Sequence, residues 1–298
     1  MKNKLTGILL VLCMLAGLLP GTALAETVVP ETENGVYLID SADELFWFAE
    51  KVNGGEKDAN AALTADIDLE NREWTPIGDG YSYSNSNGNG ITADTAYTGL
   101  FDGRGHSVSG LHIETRKLKK KDKDKENYDT YCKGLFGIIG EGGTVKNLTV
   151  NGKINARADG NEYVKAAKYI GGISGINAGL ILNCTNNAEI TGHTCVGGIS
   201  GAVGAQLAGG KRVSGKIINA HNNGNVTATS ESSANAGGIC GKLAWGEISY
   251  AANHGDVKAP FPENNDMFGY ASIRLLGGIA GGFLRRFRAG ADKEYSRG

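Results

Sequence analysis

The sequence predicts an all-β protein: a parallel β-helix of about 5–6 coils with an N-terminal capping helix. Three observations carry this reading. A glycine block recurs along most of the chain, an asparagine-bearing element recurs between its copies, and a helix-period segment precedes the array.

The elements follow in chain order. Lys2 and Lys4 give a basic start, Leu5 to Leu19 is apolar, and Ala23-Leu24-Ala25 supplies small residues at cleavage positions. That order predicts a signal peptide over residues 1–25 and a secreted or surface-associated mature chain. The apolar run is short for a membrane span of about 20 residues, so no transmembrane segment is expected after cleavage. Cys13 lies inside the run, with Met14 to Leu19 still to follow, which argues against a lipid-modified cysteine.

Removing residues 1–25 takes away Lys2 and Lys4 and no acid, so a net charge of −2 becomes −4. A mildly acidic chain has no general attraction for nucleic acid. Glycine is abundant at 46 residues while proline numbers only 5, which excludes collagen and proline-rich disorder. Cys132, Cys184, Cys195 and Cys240 remain after cleavage. Four cysteines are too few for a disulfide framework in a chain this long, and they are expected as small buried side chains with room for one bridge.

Residues 26–60 form the predicted N-terminal cap. Ser41 and Glu44 have capping-box spacing, Leu45, Phe48, Ala49 and Val52 share one helical face, and Asn53-Gly54 ends the helix. A helix here would cover the strand edges of an open first coil. Ala61 to Leu69 then alternates as an entry strand, with Leu63, Ile67 and Leu69 directed to the core.

The repeats occupy residues 61–282. Gly134-Leu135-Phe136-Gly137 is followed by Gly171-Gly172-Ile173-Ser174-Gly175, Gly197-Gly198-Ile199-Ser200-Gly201, Gly237-Gly238-Ile239-Cys240-Gly241 and Gly277-Gly278-Ile279-Ala280-Gly281. Gly99 to Gly103 is a looser copy. The second element begins at Asn147, Asn183 and Asn219, and a fourth copy has Tyr250 in that place. Gly172 to Gly198 is 26 residues, and the next two cycles are 40 each. The extra residues fall at fixed corners, near 79–96, 116–130, 155–168, 202–212 and 259–274, as in a stack that accepts loops between constant coils. The segments are short, β-branched and glycine-punctuated, which reads as strands and turns.

Three short strands per coil, stacked at roughly 4.8 Å, would align like residues. Ile154, Ile190, Val226 and Val257 then form one inward ladder, and Ile173, Ile199, Ile239 and Ile279 another. Asn147, Asn183 and Asn219 are placed to form an amide ladder at a turn.

Two stretches leave the pattern. Tyr81 to Gly90, within 79–96, is rich in tyrosine, serine and asparagine and reads as a surface loop with contact-forming composition. Residues 116–126 carry Arg116, Lys117, Lys119, Lys120, Lys121, Lys123 and Lys125 against three acids, which reads as a solvated insertion, the alternative being contact with anionic wall polymer or glycan. After Gly281 no asparagine element follows, and residues 283–298 form a basic tail behind an incomplete last coil. No L-P-x-T-G sorting signal is present. An uncapped last coil would expose a strand edge open to self-association.

These residues resemble the GLUG-motif repeat proteins of the bacterial cell surface, whose repeats also occur as non-catalytic parts of IgA-cleaving metallopeptidases. Gly134-Leu135-Phe136-Gly137 matches the motif directly, and the Gly-Gly-Ile copies look like its variant. The lead-in is similar as well: Ser41-Ala42-Asp43-Glu44-Leu45, Leu63 to Leu69, Trp74-Thr75-Pro76-Ile77-Gly78 and Phe101 to His106. The resemblance implies a secreted or surface-attached β-helix and brings no catalytic residues with it.

The residues themselves offer little chemistry. No H-E-x-x-H is present, and His106, His112, His193, His221 and His254 lack ligand-like spacing. His193 and Cys195 read as a turn residue beside a buried thiol. Asp66, Asp68 and Asp102 with His106 are the candidates for a carboxylate site, which would require two carboxylates facing one groove. Asp66 and Asp68 share a strand parity, while Asp102-Gly103 and Gly105-His106 read more naturally as turn residues between strands. The expectation is therefore an adhesin-like binding or structural module with no catalytic, cofactor or metal residues. Its partners would be host or cell-wall glycan or extracellular protein. The alternative is a β-helical polysaccharide lyase or glycoside hydrolase. Mass spectrometry of secreted material should find Glu26 as the first residue; an intact N-terminus or a lipid on Cys13 would contradict soluble export.

Overall fold

The computed structural model describes residues 28–79, 82–85, 88–91, 95–114, 132–156, 168–207, 210–230, 234–259 and 275–280. The expected signal peptide over 1–25, the basic run 116–126 and the expected tail 283–298 lie outside them. Among the described residues the protein is all-β apart from one helix, and its strands lie mainly in three parallel sheets of 14, four and five strands, here the first, second and third sheets.

Parallel neighbours require a crossover between them, and here the crossover is a visit to the other two sheets. The chain passes through the third sheet at Tyr169–Gly171, the second at Ser174–Asn177 and the first at Leu180–Asn186. It then returns to the third sheet at Cys195–Gly197. The same order repeats before and after this cycle, and like positions pair with like. Val145 pairs with Ile181, Ile181 with Ile217 and Ile217 with Ile248 in the first sheet. Ser174, Ser200 and Cys240 align in the second, and Tyr169, Cys195 and Asn235 in the third.

Both expected apolar ladders are present. Ile154, Ile190, Val226 and Val257 pair in sequence, the first three fully buried. Ile173, Ile199 and Ile239 are fully buried, and backbone N–H groups of Ile173 and Ile199 each donate to the next isoleucine's carbonyl at 3.0 Å. Ile279 stands at 41% exposure. The cycle of Cys132–Lys133, Phe136–Ile139 and Thr144–Ala156 has the three strands expected, whereas in the next two the first-sheet leg is split, as Leu180–Asn186 and Glu189–Gly192 and as Gly215–Asn222 and Val226–Ala228.

The three glycines of the repeated block have separate steric reasons. A Cβ on Gly171 would sit 2.5 Å from the Ser174 carbonyl oxygen and 2.6 Å from Cα of Ser200 in the next cycle. One on Gly175 would meet Cys132 of the preceding cycle at 2.7 Å, and Gly201 and Gly241 abut the third-sheet backbone in the same way. The middle glycines, Gly172, Gly198 and Gly238, are closed off by the side chains of Asn186, Asn222 and Asn253 respectively. These asparagines come from the other recurring element, so the two repeats interlock. Gly134-Leu135-Phe136-Gly137 is one residue shorter and lacks a middle glycine, and in its cycle the position paired with Asn186 is Val150.

The N-terminal segment differs in detail from the sequence expectation. The helix spans Ala42–Asn53 and buries Leu45, Phe48, Ala49 and Val52, as its periodicity requires. The capping box is not made: Ser41 makes no side-chain cap bond, and Glu44 reaches past the Ser41 N–H to accept from that of Asp40, one residue before the N-cap, at 2.7 Å. Phe48 packs against Tyr97 and Phe101, which both meet Phe136, so aromatic rings carry the core from the helix into the stack. An antiparallel hairpin, Glu31–Glu33 with Val36–Ile39, precedes the helix and turns at Asn34-Gly35 with φ of 51° and 78°. Its outer strand is exposed and carries two glutamates at the sheet edge, a charge pattern that discourages further pairing. The entry segment forms two strands, Asn60–Leu63 and Ile67–Asp68, rather than one, because the chain turns a corner between them; Leu63, Ile67 and Leu69 are still buried.

Two insertions expected as loops contain antiparallel hairpins: Ser82–Asn85 with Gly88–Ile91, and Ala205–Gln206 with Arg212–Val213. Ile199→Asp places an unpaired charge in the ladder and should cost roughly 3–5 kcal/mol or abolish cooperative folding. Ser214→Asp, at an exposed position, should shift stability by about 0.5 kcal/mol or less. Equal melting shifts for the two would contradict the ladder.

Candidate functional site

A repeated stack offers a site only where its outer face is left open. Inserted and neighbouring strands cover much of the second and third sheets. Ile138, Ile176 and Ala202, the outward row of the second sheet, are buried beside Ala205 and Val213 of the inserted hairpin. That hairpin is held across cycles by Lys211 on Glu141 at 2.5 Å and by the Arg212 guanidinium 5.3 Å from the Trp245 ring centre. Cys132, Tyr169 and Cys195 of the third sheet are turned into the angle with the second and are largely buried. The first sheet and its bend stay open.

That bend is built from asparagine. Asn147, Asn183 and Asn219 adopt φ of 54°, 55° and 51°, the left-handed region that asparagine tolerates better than most residues. Their amides form a chain: Asn183 Nδ2 donates to Asn147 Oδ1 at 3.1 Å, and Asn219 Nδ2 to Asn183 Oδ1 at 2.9 Å. Asn147 Nδ2 donates onward to Asp102 Oδ1 at 2.9 Å. A second open ladder runs beside it, Asn187 donating to Asn151 and Asn223 to Asn187, each at 2.8 Å. Between the two, Thr149, Thr185 and His221 align in register.

A third ladder lies beneath them. Asn186 and Asn222 are fully buried; Asn186 Nδ2 donates to Asn222 Oδ1 and Asn222 Nδ2 to Asn253 Oδ1, both at 2.7 Å. Each also bonds its own turn, Asn186 to the Ala188 backbone and Asn222 to the Gly224 carbonyl. Sequence reasoning found the first open ladder and missed the buried one. Its signal was the recurring Asn-Asn pair at 186–187 and 222–223, obscured by Val150 in the earlier cycle.

Both open ladders end in aromatic side chains. Tyr250 holds the left-handed position of the first ladder with φ 52° and is 84% exposed. A bulky residue there costs roughly 1–2 kcal/mol of backbone strain. His254, also exposed, stands where Asn223 stands one cycle earlier: its N–H bonds the Asn222 carbonyl as that of Asn223 bonds Asn186.

The carboxylate candidates are engaged in local turns and in bonds to the neighbouring cycle. Asp66 Oδ1 accepts from Ser107 N–H at 2.7 Å and its hydroxyl at 3.1 Å, with His106 Nδ1 at 3.5 Å. Those hydrogen bonds hold its carboxyl below the usual range. Asp68 accepts from the Glu70 N–H. Partial burial of Asp102 acts to raise its pKa, but Asn147, the Arg104 N–H and Lys146 outweigh it and the net shift is downward. Cys132, Cys184, Cys195 and Cys240 are buried and unbridged, and burial pushes the thiols of Cys184 and Cys240 up to about 12. His193 is lowered by burial, and Cys195 accepts from Asn235 at 3.6 Å. Among the described residues, no group of three or more His, Cys, Asp or Glu is placed to hold a metal ion. No described helix is long and apolar enough to cross a membrane. The Tyr81–Gly90 composition falls on residues whose side chains lie outside the description, as does the basic run.

No protein-family model matches the chain. It is similar to halomucin of Haloquadratum walsbyi, 32% identical over 166 residues, covering 50% of this chain and 2% of that protein. It is also similar to a "Putative Gly-rich membrane protein" of Evansella cellulosilytica, 28% identical over 158 residues, covering 51% of this chain and 14% of the relative. Among solved structures, the crystal structure of a "putative immunoglobulin A1 protease" from Bacteroides ovatus superposes with a TM-score of 0.55 at 21% identity, over 86% of this chain and 64% of that one. That likeness is one of fold, and the chain's own strand pairing makes its described part all-β with mainly parallel sheets. The chain spans only a small part of the length of either relative.

Proposed function

We propose that the chain is a parallel β-helix of the GLUG-motif type, secreted or displayed at the cell surface, that serves as a non-catalytic binding or structural module. The observation that carries this reading is the use made of the repeated residues. The glycines admit close backbones, the isoleucines fill the core, and the asparagines form ladders, leaving the open face as the part free to meet a partner. Halomucin and the Evansella membrane protein, both far longer than the matched region, are consistent with a module inside an exported protein. The Bacteroides ovatus structure carries a protease description, yet H-E-x-x-H is absent here.

Catalysis of glycan cleavage is disfavoured on the same geometry. A general acid needs a carboxyl raised toward neutral pH, whereas Asp66 and Asp102 are both shifted down, Asp66 by its bonds from Ser107 and Asp102 by Asn147, the Arg104 N–H and Lys146. The partner expected is an extracellular glycan or protein, met through the open first-sheet face.

Incubation with pectin, alginate and host glycans should release no reducing ends and no unsaturated products. A glycan-array and extracellular-matrix screen of the same protein should return at least one ligand. Product release abolished by Asp66→Asn or Asp102→Asn would establish an enzyme instead. An empty screen would remove the binding role.

A further inference from the structure

The open corner of the first sheet has a chemistry of its own. Its three central rows are Asn147, Asn183 and Asn219; Thr149, Thr185 and His221; and Asn151, Asn187 and Asn223. None carries Asp, Glu, Lys or Arg. Charged residues flank the strip in pairs, Lys146 with Asp102 on one side and Lys153 with Glu189 on the other. The strip is therefore electrically neutral, although 21% of the chain is Asp, Glu, Lys or Arg.

A primary amide has two N–H donors and two acceptor lone pairs on its oxygen. The ladder bonds of Asn183 use one of each, and so do those of Asn187. A second N–H and a second lone pair remain on each, repeated at the strand spacing of about 4.8 Å along the stack. Neutral paired donors and acceptors at that period complement hydroxyl groups, which themselves both donate and accept. The period is also close to one sugar unit of an extended glycan. A highly charged polymer would find no counter-charge in these rows.

The strip ends on Tyr250 and His254. The preceding cycles keep asparagine at the Tyr250 position, where the left-handed backbone favours it. Tyrosine gives up that preference and the ladder bond, and presents its ring 84% exposed. An exposed ring beside amides is the arrangement that stacks against the apolar face of a sugar while polar neighbours bond its hydroxyls.

We propose that this corner binds a neutral, extended glycan along the stack, with Tyr250 as the stacking platform and Asn183, Asn187, Asn219 and Asn223 as hydroxyl partners. The proposal rests on the binding role argued above and names its ligand class and site. It also makes Tyr250 a residue kept for contact at the expense of the fold.

The test uses the full mature chain in affinity electrophoresis and calorimetry against cellohexaose, xylohexaose, mannohexaose and laminarihexaose, with polygalacturonate and heparin as charged controls. Thermal melting of each variant is followed in parallel. At least one neutral hexasaccharide should bind. Tyr250→Asn should weaken that binding by about tenfold, the scale of losing one anchoring aromatic, while its melting temperature stays level or rises because the ladder is extended. Asn187→Lys should weaken it as well without loss of folding. Unchanged affinity in both variants, with neutral glycan still bound, would overturn this site. Binding of only the charged polymers, or only of proteins in the matrix screen, would overturn the neutral-glycan assignment and leave the broader binding role standing. A fall in the melting temperature of Tyr250→Asn would overturn the reading of Tyr250 as a contact residue.

Discussion

The amide chain Asn186–Asn222–Asn253, whose first two members are fully buried, is the constraint on which the rest of the stack depends. An amide removed from water without partners costs about 1–3 kcal/mol, so these residues are tolerable only if every cycle supplies the next one's partner. Each bonds its successor or its own turn at 2.7–3.0 Å. That requirement fixes register, since a slip of one residue would bury the amide against an apolar neighbour and send its apolar partners outward. It also fixes the glycine block, because the space beside each amide is the space a side chain on Gly172, Gly198 or Gly238 would need.

From this follows the difference between the two forms of the repeated block. Where the middle glycine is missing, in Gly134-Leu135-Phe136-Gly137, the amide is missing too, and Val150 takes its place. The cycle nearest the aromatic core is thus sealed by apolar contacts, and the amide chain starts one cycle later. Insertions at the corners leave this arrangement alone. The hairpin at Ala205–Val213 covers the outside of the second sheet, while the first sheet keeps its open polar corner. The same letter, asparagine, serves two roles a few residues apart: buried, it sets the stack, and exposed, it supplies amides on the outside.

Much of this was legible from the sequence, and the failures have specific causes. The isoleucine ladders and the helix face were readable because apolar periodicity maps directly onto burial. The open ladder through Asn147, Asn183 and Asn219 was readable because three copies share one letter at one place. The buried ladder was not, since Val150 breaks the series and polar residues are not expected in a core. The hairpin at Asn34-Gly35 had a usable signal, an Asn-Gly pair between short extended segments, outweighed by the stronger helix pattern after it. The hairpin after Gly204 had none, because its strands are two residues long. As for the site, Tyr250 stood out as an exception to the repeat. Its exposure and its left-handed backbone, which give the exception meaning, belong to the structure alone.

The interlock of glycine and asparagine can be measured with a double-mutant cycle on Gly172→Ala and Asn186→Ala, using denaturant unfolding of the mature chain. Each single change should destabilise, the first by forcing a methyl group into the Asn186 amide and the second by stranding its partners at Ala188 and Asn222. The double variant should be more stable than the sum of the two effects allows, with a coupling of at least about 1 kcal/mol. Strict additivity within about 0.3 kcal/mol would mean that the glycine is not there for the asparagine, and would contradict the account.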